Sequence, residues 1–188
     1  MKEAKTNYPV IDLIKNRWSP RSFAQKSISE EHMKTILEAG TWAFSANNSQ
    51  PWHFIYAHNG SHGFTTLLNC LNPGNQLWAK NAGVLVAVLA NKKFDNGSEN
   101  KIAKHDVGAA NATMSIQAIS MDIYSHVMGG YDAAKAIELL KIDANEKEPI
   151  VFIAFGFKDE ADKLEEPFKT RELTERTRKP IQEISTQL

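Results

Sequence analysis

Cysteine is almost absent. Cys70 is the single one in 188 residues, which excludes an intrachain disulfide and fits a reducing, cytoplasmic compartment. Net charge is absent as well: Lys plus Arg and Asp plus Glu both count 22, so no general basic field exists to hold nucleic acid or an anionic membrane. Any bound anion therefore needs a local cluster of cations. No apolar run approaches the roughly 20 residues that span a bilayer, and residues 1–5 lack the apolar core of a secretion signal. The chain has no G-x-S-x-G elbow, no P-loop, no dinucleotide-binding glycine pattern and no HExxH. Its six histidines show no Cys/His ligand spacing; His58 and His62 are four apart, but Asn59-Gly60 between them argues against a shared helix and so against a metal. Repeats, low-complexity tracts and internal linkers are also missing. What remains is one globular domain, 1–188, 42% hydrophobic and 23% charged, long enough to bury a substantial core.

The periodicities predict mostly helices. Residues 10–16 place apolar side chains on one helical face, and that helix has to end before Ser19-Pro20, so Arg17 and Arg21 flank a bend. Ser27 and Ser29 are candidate N-caps of a second helix, with Glu30 and Glu31 at its positive end and Met33, Ile36, Leu37 and Gly40 as its apolar stripe. A strand is predicted over 52–57, a short helix over 64–71 and a turn at 72–75. Residues 84–90 are apolar throughout, the pattern of a strand buried on both faces. The helix over 105–122 is rich in Gly, Ala and Ser, either to let another helix or subunit approach closely or simply as an Ala-rich core helix. Met128-Gly129-Gly130 breaks the chain before a short helix over 132–140, and 149–157 is a second buried strand. With hairpin signals absent, an α+β sheet covered by helices fits best.

Two stretches carry polar chemistry. Residues 45–52, Ser-Ala-Asn-Asn-Ser-Gln-Pro-Trp, form a polar loop between a helix and a strand, where a ligand could sit or where the chain merely turns. Pro51 should push Gln50 into an extended conformation. Residues 17–23 read Arg-Trp-Ser-Pro-Arg-Ser-Phe. Arg17 and Arg21 here, with Arg176 and Arg178 near the C-terminus, are either solvated surface groups or the makings of an anion pocket to which Ser19 adds a hydroxyl. In an extended segment Arg176 and Arg178 point to one side. Gly129-Gly130 offers unshielded backbone N–H groups, or is a plain turn. Trp42, Trp52 and Phe54 read most simply as core, Trp42 also near enough in sequence to line a pocket, and Cys70 reads as a small buried hydrophobe.

Taken together, R-x-S-x-R-x-F and S-x-x-N-x-Q-P-W, in this order with a helix between, resemble the FMN-dependent nitroreductase family. The resemblance extends through Asn75, Gly129-Gly130 and Arg176-Thr177-Arg178. It implies a dimeric, nitroreductase-like α+β fold with a central, mostly antiparallel sheet covered by helices. It also implies tightly bound FMN and an NAD(P)H oxidoreductase that reduces nitroaromatics, quinones or similar electrophiles by ping-pong exchange, with no catalytic side chain beyond the cofactor. Carried over to this chain, Arg17, Trp18 (through its backbone), Ser19 and Arg21 serve the phosphate and ribityl side, joined by Arg176 and Arg178. Asn75, Gly129 and Gly130 meet the flavin ring. Ser45, Ala46 and Asn48 reach the flavin of a partner subunit, so a homodimer with sites at its interface is expected. Phe44 stands where the family more often has proline, and Ala46 where it has serine. Alternatives are a dehalogenase-like enzyme of the same fold, for which a lid insertion is lacking, and a flavin-binding regulatory module without turnover.

Overall fold

The apolar run at 84–90 becomes a strand with both faces covered, as its composition demands. The computed structural model describes residues 2–188. In chain order the elements are α1 (Asp12–Asn16), α2 (Glu30–Thr41), β1 (Trp52–His58), α3 (His62–Cys70), α4 (Pro73–Ala79), β2 (Val84–Asn91), α5 (Ala103–Ser120), β3 (Tyr124–Met128), α6 (Ala133–Leu139), β4 (Lys147–Gly156) and α7 (Phe168–Leu173). The four strands form one sheet in the order β1-β2-β4-β3, every neighbouring pair antiparallel. Period-2 alternation divides the central strands between two cores. Leu85, Ala87, Phe152 and Ala154 face a layer built from α3, α4 and α6, with Phe64, Leu67, Trp78 and Ala136. Val86, Val88, Ile153 and Phe155 face α2 and α5, with Met33, Ile36, Val107, Met114 and Ala118. Burying each large apolar side chain contributes about 1.5–3 kcal/mol, so these layers hold the sheet. The mixed α+β architecture with a helix-covered antiparallel sheet is the one expected.

Local chemistry explains the helix ends. Ser29 Oγ accepts the His32 N–H at 3.1 Å and starts α2. Gly40 lets α2 lie directly on α5: a Cβ there would sit 2.7 Å from Met114 Cγ. Among the described residues no helix is long and apolar enough to cross a membrane.

The structure corrects four expectations. The turn at 72–75 is the start of α4, with Asn72 at its N-terminal boundary and Pro73 in the first turn, a position proline favours because the missing N–H is not needed there. β3, not anticipated, is an edge strand whose Ser125 and His126 conceal its apolar pattern. Gln50 is not extended; its φ is +46°, because its N–H donates to Ser45 Oγ and its amide Nε2 to the Asn48 carbonyl, folding the loop on itself. Trp42 is not core but 83% exposed at the end of α2, since the stripe that faces α5 ends at Gly40.

Candidate functional site

The bend after α1 is built around one buried carboxylate. Glu172 of α7, 4% exposed, accepts the Arg21 N–H at 3.2 and 2.9 Å and the Ser22 N–H at 3.3 Å. Those bonds turn the chain so that the Arg17 and Arg21 side chains stand on either side of Ser19-Pro20. Arg17 Nη1 donates to Ser19 Oγ at 3.4 Å. The Arg21 guanidinium lies 5.9 Å from the centre of the Trp78 indole, whose ring is tilted against His126 at 4.5 Å. His126 Nδ1 meets the Pro20 carbonyl at 2.9 Å; a carbonyl only accepts, so that nitrogen carries the proton and donates. Trp18 itself packs into the core, leaving only its backbone to the site.

The late arginines have different tasks. Arg176 donates from Nη1 to the Lys2 and Lys15 carbonyls and from Nη2 to the Arg17 carbonyl, each at 2.8 Å. It thus satisfies the open carbonyls at the end of α1 and fastens the N-terminal segment beside them. Arg178 is exposed, and its Nη1 bonds only the neighbouring Thr177 carbonyl.

These cations crowd one another. Burial holds the Arg17 pKa below the ordinary arginine value, and the charges of Arg176 and Arg178 push it the same way. Burial does the same to Arg21, opposed by Glu172 and aided by Arg171. Lys2 is lowered first by burial, with Glu172 opposing and Arg176 and Arg21 adding repulsion. Lys2, Arg17, Arg21, Arg176 and Arg178 outnumber the one carboxylate, Glu172, so the cluster keeps an excess of positive charge, the polarity a phosphate requires.

The second feature lies at the end of β3. The Gly130 carbonyl accepts the Asn72 N–H at 3.0 Å and Asn75 Nδ2 at 2.9 Å. A Cβ on Gly130 would lie 2.8 Å from Asn75 Nδ2, whereas one on Gly129 would meet nothing within 4 Å. Close approach, not a positive φ, is what calls for glycine at 130. Among the described residues no protein acceptor meets the N–H of Gly129 or Gly130. Gly129 follows His126 by three residues, about 10 Å along the strand, and His126 in turn bonds the bend at Pro20. α4 joins the two ends: Asn75 and Trp78, three apart on one helical face, hold the glycine turn and the His126 ring respectively.

The polar loop is held elsewhere. The Ala46 N–H donates to Asp106 Oδ2 at 2.9 Å, and Asp106, 1% exposed on α5, meets His105 Nδ1 at 3.0 Å through its other oxygen. Ser45 leads into a single 3-10 turn at Ala46–Asn48, where Asn47 and Asn48 take φ of 54° and 55°, a conformation asparagine tolerates. Phe44 is exposed and tilts against His105 at 5.6 Å. No hydrogen bond joins this loop to the arginine cluster or to the glycine turn among the described residues. Asn48 is exposed, and Ser45 and Ala46 are half-buried, on a loop fastened to α5 and not to the cation cluster.

Sequence reasoning did not identify Lys2, Trp78, Asp106, His126 or Glu172 as parts of these features. The one signal is the spacing of Trp78 three residues after Asn75, masked because Asn-Pro-Gly-Asn at 72–75 has the composition of a turn. No group of three or more His, Cys, Asp or Glu that could hold a metal is present among the described residues.

A model of the nitroreductase family matches residues 14–63, the stretch containing both the bend and the polar loop. A candidate NADH dehydrogenase/NAD(P)H nitroreductase of Archaeoglobus fulgidus is 31% identical over 159 residues, 81% of this chain and 87% of that protein. A solved oxidoreductase containing FMN shares 32% identity at a TM-score of 0.91, covering 99% of this chain and 95% of its own. A candidate nitroreductase from Desulfovibrio desulfuricans, solved in complex with FMN, has the same fold at a TM-score of 0.77 and 22% identity, covering 97% and 98% of the two chains.

Proposed function

This chain belongs to the nitroreductase family, and from that premise we propose that it is an FMN-dependent oxidoreductase in which NAD(P)H reduces nitroaromatic, quinone or similar electrophilic compounds. The observation that carries the reading is an excess-cation cluster at the bend, tied by His126 to the strand that runs on into Gly129-Gly130, whose N–H groups have no acceptor among the described residues. A mononucleotide with its phosphate at the bend and its ring at the glycines suits that arrangement. The chain fits the group. Arg17, Ser19, Arg21 and Arg178 would hold the phosphate, with the Trp18 backbone beside the ribityl chain. Arg176 would act mainly by fixing the Arg17 carbonyl. Asn75, Gly129 and Gly130 would border the ring.

When bound, FMN supplies the redox chemistry, accepting electrons from the nicotinamide and passing them to the electrophile. The chain supplies the rest. The N–H groups of Gly129 and Gly130 offer donors to a ring edge, and the open space beside Gly129 leaves a face for donor and acceptor to occupy in turn. Ser45, Ala46 and Asn48, displayed away from their own cluster, suit contact with the flavin of a second copy, so the working form is a homodimer. Cys70, buried with its thiol bonded to the Thr66 carbonyl, suits a reducing cytoplasm where NAD(P)H is available.

An absorption spectrum tests this directly. The purified protein should show flavin bands, release FMN and not FAD on denaturation, bleach under anaerobic NAD(P)H and regain colour with a nitroaromatic. Protein that neither carries nor takes up FMN contradicts the cofactor. A yellow protein that NAD(P)H leaves unbleached would instead be a flavin-binding module without turnover.

A further inference from the structure

His126 is the polar side chain through which β3 meets the cation-bearing bend, and the scheme above does not use it. Its Nδ1–H is committed to the Pro20 carbonyl at 2.9 Å, so it ties the cation-bearing bend to β3, the strand that runs on into Gly129-Gly130. Trp78 covers its ring at 4.5 Å and also lies beneath the Arg21 guanidinium. The bend presents Arg17 and Arg21 to it; α4 presents only the indole; its partner on β4 is the apolar Ala154. The carboxylate of the cluster, Glu172, is turned onto the Arg21 and Ser22 N–H groups. The imidazole is therefore placed among cations, with no acid against it.

We infer that His126 is a positioning residue of the phosphate site that takes up a proton when a phosphate monoester occupies the space between Arg17 and Arg21. This rests on the FMN reading. In the free protein, burial foremost, opposed by the bond to Pro20 and assisted by the Arg21 charge, brings the His126 pKa down to about 4. The ring is then neutral throughout the working range. A phosphate reverses the field, since its negative charge beside the two arginines favours the imidazolium. The proton comes from solvent onto Nε2, while Nδ1–H keeps its bond to Pro20. The sign follows from linkage. A group whose pKa rises on binding takes up a proton as the ligand binds, so it strengthens binding as pH falls toward the free-protein pKa. The phosphate's own ionisation near pH 6 is common to every variant and cancels in comparison.

The test compares wild type with H126N, whose amide can still donate to the Pro20 carbonyl but cannot titrate. Flavin-stripped full-length protein is titrated calorimetrically with FMN and with riboflavin, between pH 5 and 7, in buffers of different ionisation enthalpy. Wild type should take up a fraction of a proton more per site than H126N with FMN, and no more with riboflavin. Its affinity advantage over H126N should grow several-fold from pH 7 to pH 5. Should H126N fail to fold, the Cε1–H resonance of His126 in the wild type, titrated with and without FMN, must show the pKa rise. Equal proton counts in the two proteins, or an unmoved resonance, overturn the role of His126 while leaving FMN binding intact. Failure of both FMN and riboflavin to bind overturns the cofactor reading, and this proposal with it.

Discussion

At the scale of single residues, the bend between Arg17 and Ser22 combines a side-chain task with a backbone one. Arg21 offers its guanidinium outward while its N–H anchors to Glu172. Truncating it to alanine therefore removes a charge-assisted contact without undoing the bend. Arg21→Ala should weaken FMN by about 1.5–3 kcal/mol, roughly ten- to hundredfold, and leave riboflavin nearly unaffected. Fluorescence titration of the two flavins measures this, and equal losses for both would remove the phosphate assignment. Gly130 poses a different problem. A valine there drives its Cβ into Asn75 Nδ2, 2.8 Å away, and the contact is with the side chain that fixes the turn. Gly130→Val should keep FMN on the arginines but displace the ring edge. A misplacement of about 1 Å costs up to ~100-fold in rate. Stopped-flow reduction by NAD(P)H, expressed per bound flavin, would show the loss; an unchanged rate would mean that the turn does not border the reacting ring.

At the scale of elements, the strongest periodic signals were the most legible. The stripe Met33, Ile36, Gly40 and the wholly apolar 84–90 run became α2 and β2 because burial of a face is decided by local spacing. α4 and β3 were not legible. α4 is short and starts with Pro-Gly, while β3 pairs on one side only and carries Ser125 and His126 in its middle. Both are held by tertiary contacts, and both line the site. The long α5 is informative for assembly. It buries Ala110, Met114 and Ala118 against its own chain, yet Gly108 and Ala112 remain exposed one turn apart on the same helix. Ala112→Trp should leave the monomer core undisturbed but obstruct the approach of a second copy. Sedimentation should then show loss of the dimer together with loss of flavin. A variant that remains a flavin-loaded dimer would place the interface elsewhere.

At the scale of the whole molecule, the scheme proposed above has the nicotinamide and the electrophile use one flavin face in turn. Steady-state kinetics with NAD(P)H and a quinone should give parallel double-reciprocal lines; intersecting lines would mean that both substrates are held together. How much of this was present in the chain alone can be argued residue by residue. The R-x-S-x-R-x-F bend, the polar loop and the family they resemble are contiguous patterns, and contiguous patterns are what sequence displays. The α+β class was legible for the same reason, through the periods of its helices and central strands. The environment of the bend was not. Glu172 reaches Arg21 across 151 residues, His126 reaches Pro20 across 106, and Arg176 reaches Arg17 across 159. None of these partners is marked by spacing, because each contact exists only after β3, α4 and α7 have packed. Residue chemistry and local period thus determined which groups could bind an anion and where the sheet would be buried. Only the tertiary structure decided that Arg176 would cap α1, that Trp42 would face solvent, and that an imidazole would bond the bend that carries two arginines, since long-range packing alone selects which distant side chains share one desolvated space.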